Sequence, residues 1–139
     1  MTTYAPKIYT ASTTLGPSDA DTCIVINAAA GATISLPTAV GSGYTFKVFI
    51  GTTVTSGSVV IKRGLSSDIM QGVILNASAT NVETGWSAGS NGNTITLNGS
   101  TSGGIKGDYF LFTDAIAGLW TVDGLTSGTG TIVTPFSNT

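Results

Sequence analysis

Apolar and polar residues alternate along most of this chain with a period of two. In the run YTFKVFI, positions 44, 46, 48 and 50 share one face of an extended segment, and positions 45, 47 and 49 share the other. Thr, Val and Ile fill this run and others like it, as a pleated sheet favours. No window repeats apolar residues at helical spacing over the roughly 12 residues that a helix needs. The pattern predicts an all-β protein.

Ten segments carry this signal, each bounded by Gly-, Ser- or Asn-rich connectors that supply turn conformations. Strands are predicted at Thr22–Asn27, Ala32–Leu36, Tyr44–Ile50, Ser58–Lys62, Met70–Leu75, Thr94–Asn98, Asp108–Thr113, Leu119–Asp123 and Thr131–Thr134, with an edge strand at Lys7–Thr10. Short strands at spacings of roughly 10 residues are typical of sandwiches, jelly rolls and small barrels. We therefore expect a single-domain β-sandwich or jelly-roll-like fold of about nine or ten short strands.

The chain shows no internal boundary that would divide it into several domains. Residues 1–12 are predicted to form an N-terminal arm or edge strand, and residues 13–139 a single β domain. The longest polar interval, Asn76–Asn93, is expected to be a protruding loop. No repeat of 20–50 residues is visible, so a solenoid or propeller is not predicted.

Charge is scarce in this sequence. Charged residues make up 9% of the 139 positions, against roughly 25% in an average soluble domain, whereas the chain contains 24 Thr, 15 Ser and 19 Gly. A net charge of −2 argues against nucleic-acid binding, which requires positive charge. No stretch of 18 apolar residues predicts a membrane helix, and no signal peptide is expected. The lone Cys23, between apolar neighbours, is expected to be a small buried side chain, although an intermolecular disulfide stays open.

Candidate catalytic groups are few and scattered. The chain has no His, which removes the commonest general base and metal ligand, and it has no nucleophile or phosphate-binding motif. The single glutamate, Glu83, would need a facing aspartate to form a glycosidase pair. Asp108, Asp114 and Asp123 have positions typical of turns, and Asp19 and Asp21 favour a solvated turn over a calcium loop. We predict no enzymatic activity, no bound metal and no cofactor.

The two tryptophans differ in their surroundings. Trp120 alternates with polar positions in LWTVDG and is expected in the core or in an interface. Trp86 has Gly85 and Ser87 as neighbours, so it is the better candidate for exposure, either as the anchor of a protein contact or as a platform for a sugar.

The shortage of charge also bears on assembly. Natural sheets protect their edge strands with Lys, other charges and Pro, because bare edges pair with other chains. This chain has five basic residues and four Pro for nine or ten strands. We therefore expect a homo-oligomer, with a closed trimer favoured.

Several segments carry a resemblance to a known family. NAAAGATISLPTA, GYTFKVFIGTTVTSGSVVIK and SDIMQG are followed in order by NTITLNGSTSGGIKGDYF, GLWTVDG and TPF. From about Thr22 to Phe136 the chain resembles the small decoration, or cement, proteins of tailed-bacteriophage capsids. The matching segments are strand-and-turn patterns, and they bring no functional residues of the family with them.

The resemblance implies a compact β protein, made in the host cytoplasm, that binds the major capsid protein on the outside of the phage head as trimers or clusters. In this role it would stabilise the assembled shell. The resemblance fades in the first dozen residues, which are either a capsid-contacting arm or a variable segment. The residues that we single out as candidate partner contacts are Tyr4, Pro6 and Lys7 in this segment, together with Trp86.

Two other functions stay open from the sequence. The first is a receptor- or glycan-binding β domain of a phage fibre or a lectin-like module, which an exposed aromatic group with a neighbouring carboxylate would favour. The second is a β-sandwich hydrolase, which requires Glu83 and an aspartate to face each other in a cleft.

Overall fold

A computed structural model describes residues 5–78, 80 and 83–139, and it confirms the all-β prediction. Twelve strands lie in these residues: β1 (Lys7–Tyr9), β2 (Thr13–Thr14), β3 (Cys23–Ile26), β4 (Ala32–Ser35), β5 (Thr45–Ile50), β6 (Val59–Lys62), β7 (Ile69–Ser78), β8 (Glu83–Ser87), β9 (Thr94–Leu97), β10 (Tyr109–Ile116), β11 (Leu119–Gly128) and β12 (Phe136–Ser137). The one helical segment among them is a three-residue 3-10 turn, Pro17–Asp19. No helix in this part of the chain could therefore span a membrane.

The strands form two mixed sheets. The larger sheet has seven strands in the order β1-β3-β5-β10-β11-β7-β8, and the smaller sheet has five in the order β12-β9-β6-β4-β2. Ile34, Ile61 and Ile95 of the smaller sheet join Phe46 and Trp120 of the larger sheet in one buried cluster. The two sheets thus enclose a common core, as in a β-sandwich.

The first six strands alternate between the two sheets. β1, β3 and β5 are parallel neighbours in the larger sheet, and β2, β4 and β6 are parallel neighbours in the smaller one. The chain therefore winds around the core before its later strands add antiparallel pairs. Lys7 pairs with Ile24 whereas Cys23 pairs with Lys47, so successive turns of the winding differ in length. Because these windings differ in length, the sequence shows no repeat of fixed period.

The predicted alternation correctly identifies the core face of the central strands. Phe46 and Val48 are fully buried, and Lys47 between them is exposed. Trp120 is also fully buried, so of its two predicted places, the core or an interface, it occupies the core. Its ring lies 5.6 Å from that of Phe46, and its Nε1–H donates to the carbonyl oxygen of Pro37 at 3.1 Å. Burial of aromatic rings of this size contributes strongly to stability.

Three expectations about strands and loops are wrong. Thr131–Thr134 forms a loop and not a strand, and the Val133 N–H in it donates to the Thr101 carbonyl. The last strand of the chain is β12. The interval Asn76–Asn93 does not form one protruding loop, since β7 continues to Ser78 and β8 pairs back onto it. The described residues contain twelve strands rather than nine or ten; β2, β8 and β12 were missed because they are short or poor in apolar residues.

Cys23 is exposed rather than buried. Its neighbours Ile24 and Ile26 point inward from β3, so the period of two directs Cys23 to the outward face of the larger sheet. The apolar letters on both sides of Cys23 in the sequence conceal this alternation.

Candidate interaction surface

An unbroken row of apolar residues crosses the outward face of the larger sheet, perpendicular to its strands. Each strand contributes one residue, and each residue is the register partner of the next: Ile8, Val25, Phe49, Tyr109, Leu125, Leu75 and Gly85. We call these seven residues the outer row. Cross-strand partners have Cβ atoms about 5 Å apart, so the row forms one continuous surface.

The outer row is partly exposed at its middle residues Val25, Phe49 and Tyr109, and more open to solvent on either side of them. Ile8 is 57% exposed, Leu75 is 54% exposed and Leu125 is 58% exposed. Single exposed apolar residues are ordinary on protein surfaces. A contiguous exposed patch instead marks a site of interaction with a protein, a ligand or a membrane. The outer row is therefore the feature of this fold that most clearly indicates binding.

A second row lies beside the first and introduces two charges. It consists of Cys23, Lys47, Leu111, Asp123, Val73 and Ser87, again in register order. Lys47 and Asp123 are exposed and lie on opposite sides of Leu111, which belongs to β10. Apart from these two, the charged side chain that the strands of the larger sheet place on this face is Glu83 of β8.

A groove of about 400 Å³ opens at one end of the outer row, between β7, β8 and β11. The groove is lined by Leu75, Ala77, Gly85 and Leu125 together with the polar residues Asn76, Glu83, Thr84 and Thr126. The groove continues the apolar character of the outer row toward the β8 edge of the sheet.

Of the four predicted contact residues, Pro6, Lys7 and Trp86 lie among the described residues, and none of the three belongs to the outer row. Tyr4 lies outside the described residues. Pro6 is exposed just before β1, whereas Lys7 is half-buried and its Nζ donates to the Ser18 carbonyl and to Asp19. The residue of this segment that reaches the outer row is Ile8, which the sequence reading did not single out.

Trp86 is not the exposed anchor that its neighbours suggested. β8 pairs with β7 so that Trp86 stands opposite the fully buried Ile74, and its half-buried ring packs against the core. Its Nε1 atom is buried without a hydrogen-bond partner among the described residues. The flanking glycine and serine indicated exposure, but the edge strand turns the ring inward.

Four aspartates are buried, and each accepts hydrogen bonds from the backbone of a loop. They are Asp19, Asp68, Asp108 and Asp114. Asp68 accepts from the Ala39 N–H at 3.0 Å. These carboxylates therefore hold the loops between strands in place. The sequence indicated that aspartates occupy turns, but not that their carboxylates bind the loop backbone.

Asp114 and Asp108 differ in their ionisation. Burial opposes the ionised form of Asp114, but the hydroxyl and N–H of Ser42 and the N–H groups of Gly41 and Val40 outweigh it and hold the pKa of Asp114 below its usual value. Burial dominates at Asp108 and raises its pKa, although it accepts from the N–H groups of Ser127, Ile105 and Gly104.

Asp19 is buried and paired, so the expectation of a solvated turn is wrong for this residue, whereas Asp21 is exposed. Burial acts to raise the pKa of Asp19, but hydrogen bonds from Tyr9, Gly16 and Lys7 bring it below the usual value. The hydrogen bond that the Tyr9 hydroxyl donates to Asp19 is also the main reason that the pKa of Tyr9 rises to about 12. This cluster fastens β1 to the 3-10 turn.

The structure does not bring Glu83 into a pair with Asp123. Glu83 shares a row with Ala77 and Ser127, so it lies two strands and four residues away from Asp123. With strands about 4.8 Å apart and residues about 3.4 Å apart, the separation of their Cα atoms is roughly 17 Å. Glycosidase pairs need roughly 5–10 Å. Among the described residues, no three groups of the His, Cys, Asp or Glu type lie together as a metal site.

Comparison of the chain with protein-family models, with curated proteins and with solved structures gives no match. The surface described above and the sequence resemblance are therefore what a functional proposal can rest on.

Proposed function

We propose that this protein is a non-enzymatic structural component of a tailed-phage virion, a decoration protein that binds the major capsid protein on the outside of the head. The observation that carries the structural part of this proposal is the outer row, an apolar surface suited to the contacts of an assembled protein coat, with a capsid subunit or with another copy of this chain. The resemblance of the segments between Thr22 and Phe136 supplies the capsid as the partner.

The rest of the fold suits a passive binding role. The buried carboxylates are committed to the loops of the protein itself, and Glu83 does not face Asp123. One core cluster joins both sheets, so the protein presents its surfaces on a packed body rather than on a mobile lid. Such a body can hold neighbouring capsid subunits at a set spacing.

Stabilisation would follow from mass action. A protein that binds the assembled shell and not the free capsid subunit lowers the free energy of the shell alone. An oligomer of any size presents several copies of each contact and so gains avidity without new chemistry. Each single contact can then be weak.

The test is co-sedimentation of the purified protein with expanded shells of the phage that encodes it, alongside unassembled capsid subunits. We expect saturable binding to expanded shells and at least about 100-fold weaker binding to free subunits. Equal affinity for both would contradict the proposal, and so would absence of binding to the shell.

A shortened chain that starts at Lys7 tests the contribution of the N-terminal segment, which includes Tyr4 and Pro6. Because β1 begins at Lys7, we expect an unchanged thermal midpoint and weaker shell binding. The control is Lys62→Glu, on the outward face of β6 in the smaller sheet. It is expressed and purified in the same way but keeps the N-terminal segment.

A second candidate is glycan binding, which one observation favours. Tyr109 faces outward, and Asp123 and Lys47 both occupy positions diagonal to it on the neighbouring strands. Diagonal neighbours lie about 7–8 Å apart, within reach of one sugar ring. A glycan array probed with the wild-type protein and with Tyr109→Ser tests this candidate. If it is correct, the wild-type protein binds a glycan on the array and Tyr109→Ser abolishes that binding.

A further inference from the structure

The outer row is arranged symmetrically about one strand. β10 is the fourth of the seven strands in the larger sheet, so three strands lie on each side of it. A half-turn about the direction of β10 exchanges the two sides of the face. It brings Phe49 to the position of Leu125 and Val25 to the position of Leu75. Apolar residues therefore replace apolar residues, and the row is complementary to itself.

We propose that two copies of this chain pair face to face through the outer row, about a two-fold axis that runs along β10. In this arrangement Tyr109 of one copy lies over Tyr109 of the other. Phe49 of each copy packs on Leu125 of its partner copy, and this contact occurs twice, as in any two-fold interface.

The charges of the second row identify a second copy as the occupant of this face. Lys47 and Asp123 lie on opposite sides of Leu111, one strand from β10 in each direction. The same half-turn places Lys47 of one copy opposite Asp123 of the other, and the reverse. Neither residue forms an ion pair with a described residue of its own chain. Opposite charges placed in this way fix orientation and register between partners.

The area of the face agrees with a stable dimer. At about 3.4 Å per residue and 4.8 Å between strands, the seven strands present a planar area of roughly 700 Å². Interfaces of standard size bury about 800 Å² on each partner. The centre of the face is apolar and the flanking row carries the charges, which is the usual anatomy of such interfaces.

Sheet twist does not disturb the central contacts. Two aligned sheets pack at about −30° to each other. With the sheets crossing at Tyr109, Phe49 and Leu125 then shift by about 2.5 Å relative to each other. Lys47 and Asp123, two residues further along their strands, shift by about 4 Å, a distance that the long lysine side chain spans. Lys47, Phe49, Leu125 and Asp123 are all one strand from β10. Their pairing therefore survives the twist, while contacts at Ile8 and Gly85 loosen.

The edge strands offer less for self-association than the face does. β2 and β12 have two residues each, β1 has three and β8 has five. Very short edge strands are one of the ways by which sheets avoid pairing with other chains. The shortage of charge that led us to expect an oligomer is thus better accounted for by the exposed face than by the edges.

Sedimentation equilibrium of the wild-type protein from low to high micromolar concentration tests the pairing. We expect a monomer–dimer equilibrium, and Leu125→Glu should raise its Kd at least about 100-fold, since it places a charge in the centre of the interface twice. Lys62→Glu changes net charge in the same direction as Lys47→Glu, on the opposite side of the molecule, and should leave Kd unchanged.

Charge reversal tests the axis itself. Lys47→Glu and Asp123→Lys should each raise Kd about tenfold or more, because each places like charges opposite one another. The double variant restores opposite charges and should return Kd to within about threefold of wild type. All three positions, 47, 123 and 125, are exposed. An unchanged circular dichroism spectrum and thermal midpoint, measured at a concentration where every variant and the wild type are monomeric, confirm folding.

Crosslinking gives a second measurement of the register. The proposed half-turn places Cys23 opposite Val73 of the partner copy, whereas the two native Cys23 residues are about 19 Å apart across the face. A bis-maleimide linker of about 10 Å, close to the spacing of packed sheets, should give covalent dimers of Val73→Cys and few of the wild type.

Four results would overturn the proposal: a monomer at every concentration, a trimer as the associated species, a dimer unaffected by Leu125→Glu, or a double reversal that fails to restore Kd. The pairing does not rest on the proposed capsid function. Failure of shell binding with pairing intact refutes only the capsid function, and shell binding by an unpaired protein refutes only the pairing.

Discussion

Phe49 and Tyr109 stand opposite each other on β5 and β10, with ring centroids 5.0 Å apart and ring planes inclined at 44°. Both side chains point away from the core, at the centre of the face that carries the outer row. The inclination means that the two rings do not form one flat platform, as stacking on an extended sugar chain would require. Their geometry is instead that of a packed aromatic pair.

A double-mutant cycle should detect this pair. We expect Phe49→Ala and Tyr109→Ala to be less destabilising together than the sum of the single effects, with a coupling free energy of about 0.5–1.5 kcal/mol. Urea unfolding at a concentration where sedimentation shows only monomer measures the coupling within one chain. Additive effects would mean that the two rings do not support each other in solution.

Replacement of Asp114 by Asn should destabilise the loop that its carboxylate holds. Asp114 accepts from the N–H groups of Val40, Gly41 and Ser42 and from the Ser42 hydroxyl. Because Asn brings an amide donor toward these donors, we expect a loss of about 2 kcal/mol in the free energy of unfolding at pH 7. Asp21→Asn, at an exposed position of positive φ that Asn tolerates, is the control and should cost much less.

The same variant should change the pH dependence of stability. The pKa of Asp114 is lower in the folded than in the unfolded chain, so its contribution is complete above about pH 4 and is lost as the pH falls through the folded pKa. Asp114→Asn should therefore lose less stability than wild type between pH 5 and pH 2. Asp108 has the opposite sign, so its carboxyl should protonate at higher pH than that of Asp114 in an NMR titration. The reverse order would contradict the described environments.

Gly72→Ala should be strongly destabilising. Gly72 adopts φ of 148° in β7, and a Cβ atom there would lie 1.8 Å from the carbonyl oxygen of Val122 on β11. Backbone cannot move away cheaply within a paired strand, so we expect a loss of about 3 kcal/mol or more, or failure to fold. Gly16→Ala, where a Cβ meets nothing within 4 Å, should change stability by less than about 1 kcal/mol. A cost below about 1 kcal/mol for Gly72→Ala would show that the two strands are less close than described.

The alternation of apolar and polar residues predicted which face of a single strand is buried, but it predicted little about how the strands pair with one another. The period of two places Phe46 and Val48 on one face, and the neighbours of Trp120 predict the core or an interface; burial of one face governs both patterns. The outer row could not be found in this way. Its members Val25, Phe49 and Tyr109 come together through one parallel and one antiparallel register, which no local pattern specifies.

Predictions also failed where the neighbours of a residue conceal the direction of its side chain. Cys23 is surrounded by apolar letters but points outward, because Ile24 and Ile26 occupy the inward positions of β3. Trp86 is surrounded by small residues but points inward. The edge strand β8 has no apolar pattern of its own, and its pairing with β7 places Trp86 opposite the inward-facing Ile74. For the candidate surface, only Lys7 and Trp86 were singled out near the relevant strands, and neither points along the outer row.

The two tryptophans should respond differently to replacement by Phe. Trp120 is fully buried and its Nε1–H donates to Pro37, so Trp120→Phe removes this bond, leaves a cavity and should cost about 2–3 kcal/mol. The Nε1 atom of Trp86 is buried with no partner among the described residues, so Trp86→Phe removes an unpaired donor and should be neutral or stabilising within about 1 kcal/mol. Urea unfolding of both variants at one protein concentration measures the difference. A larger loss for Trp86→Phe than for Trp120→Phe would mean that the Trp86 N–H has a hydrogen-bond partner in solution and that the two sites have been assigned the wrong roles.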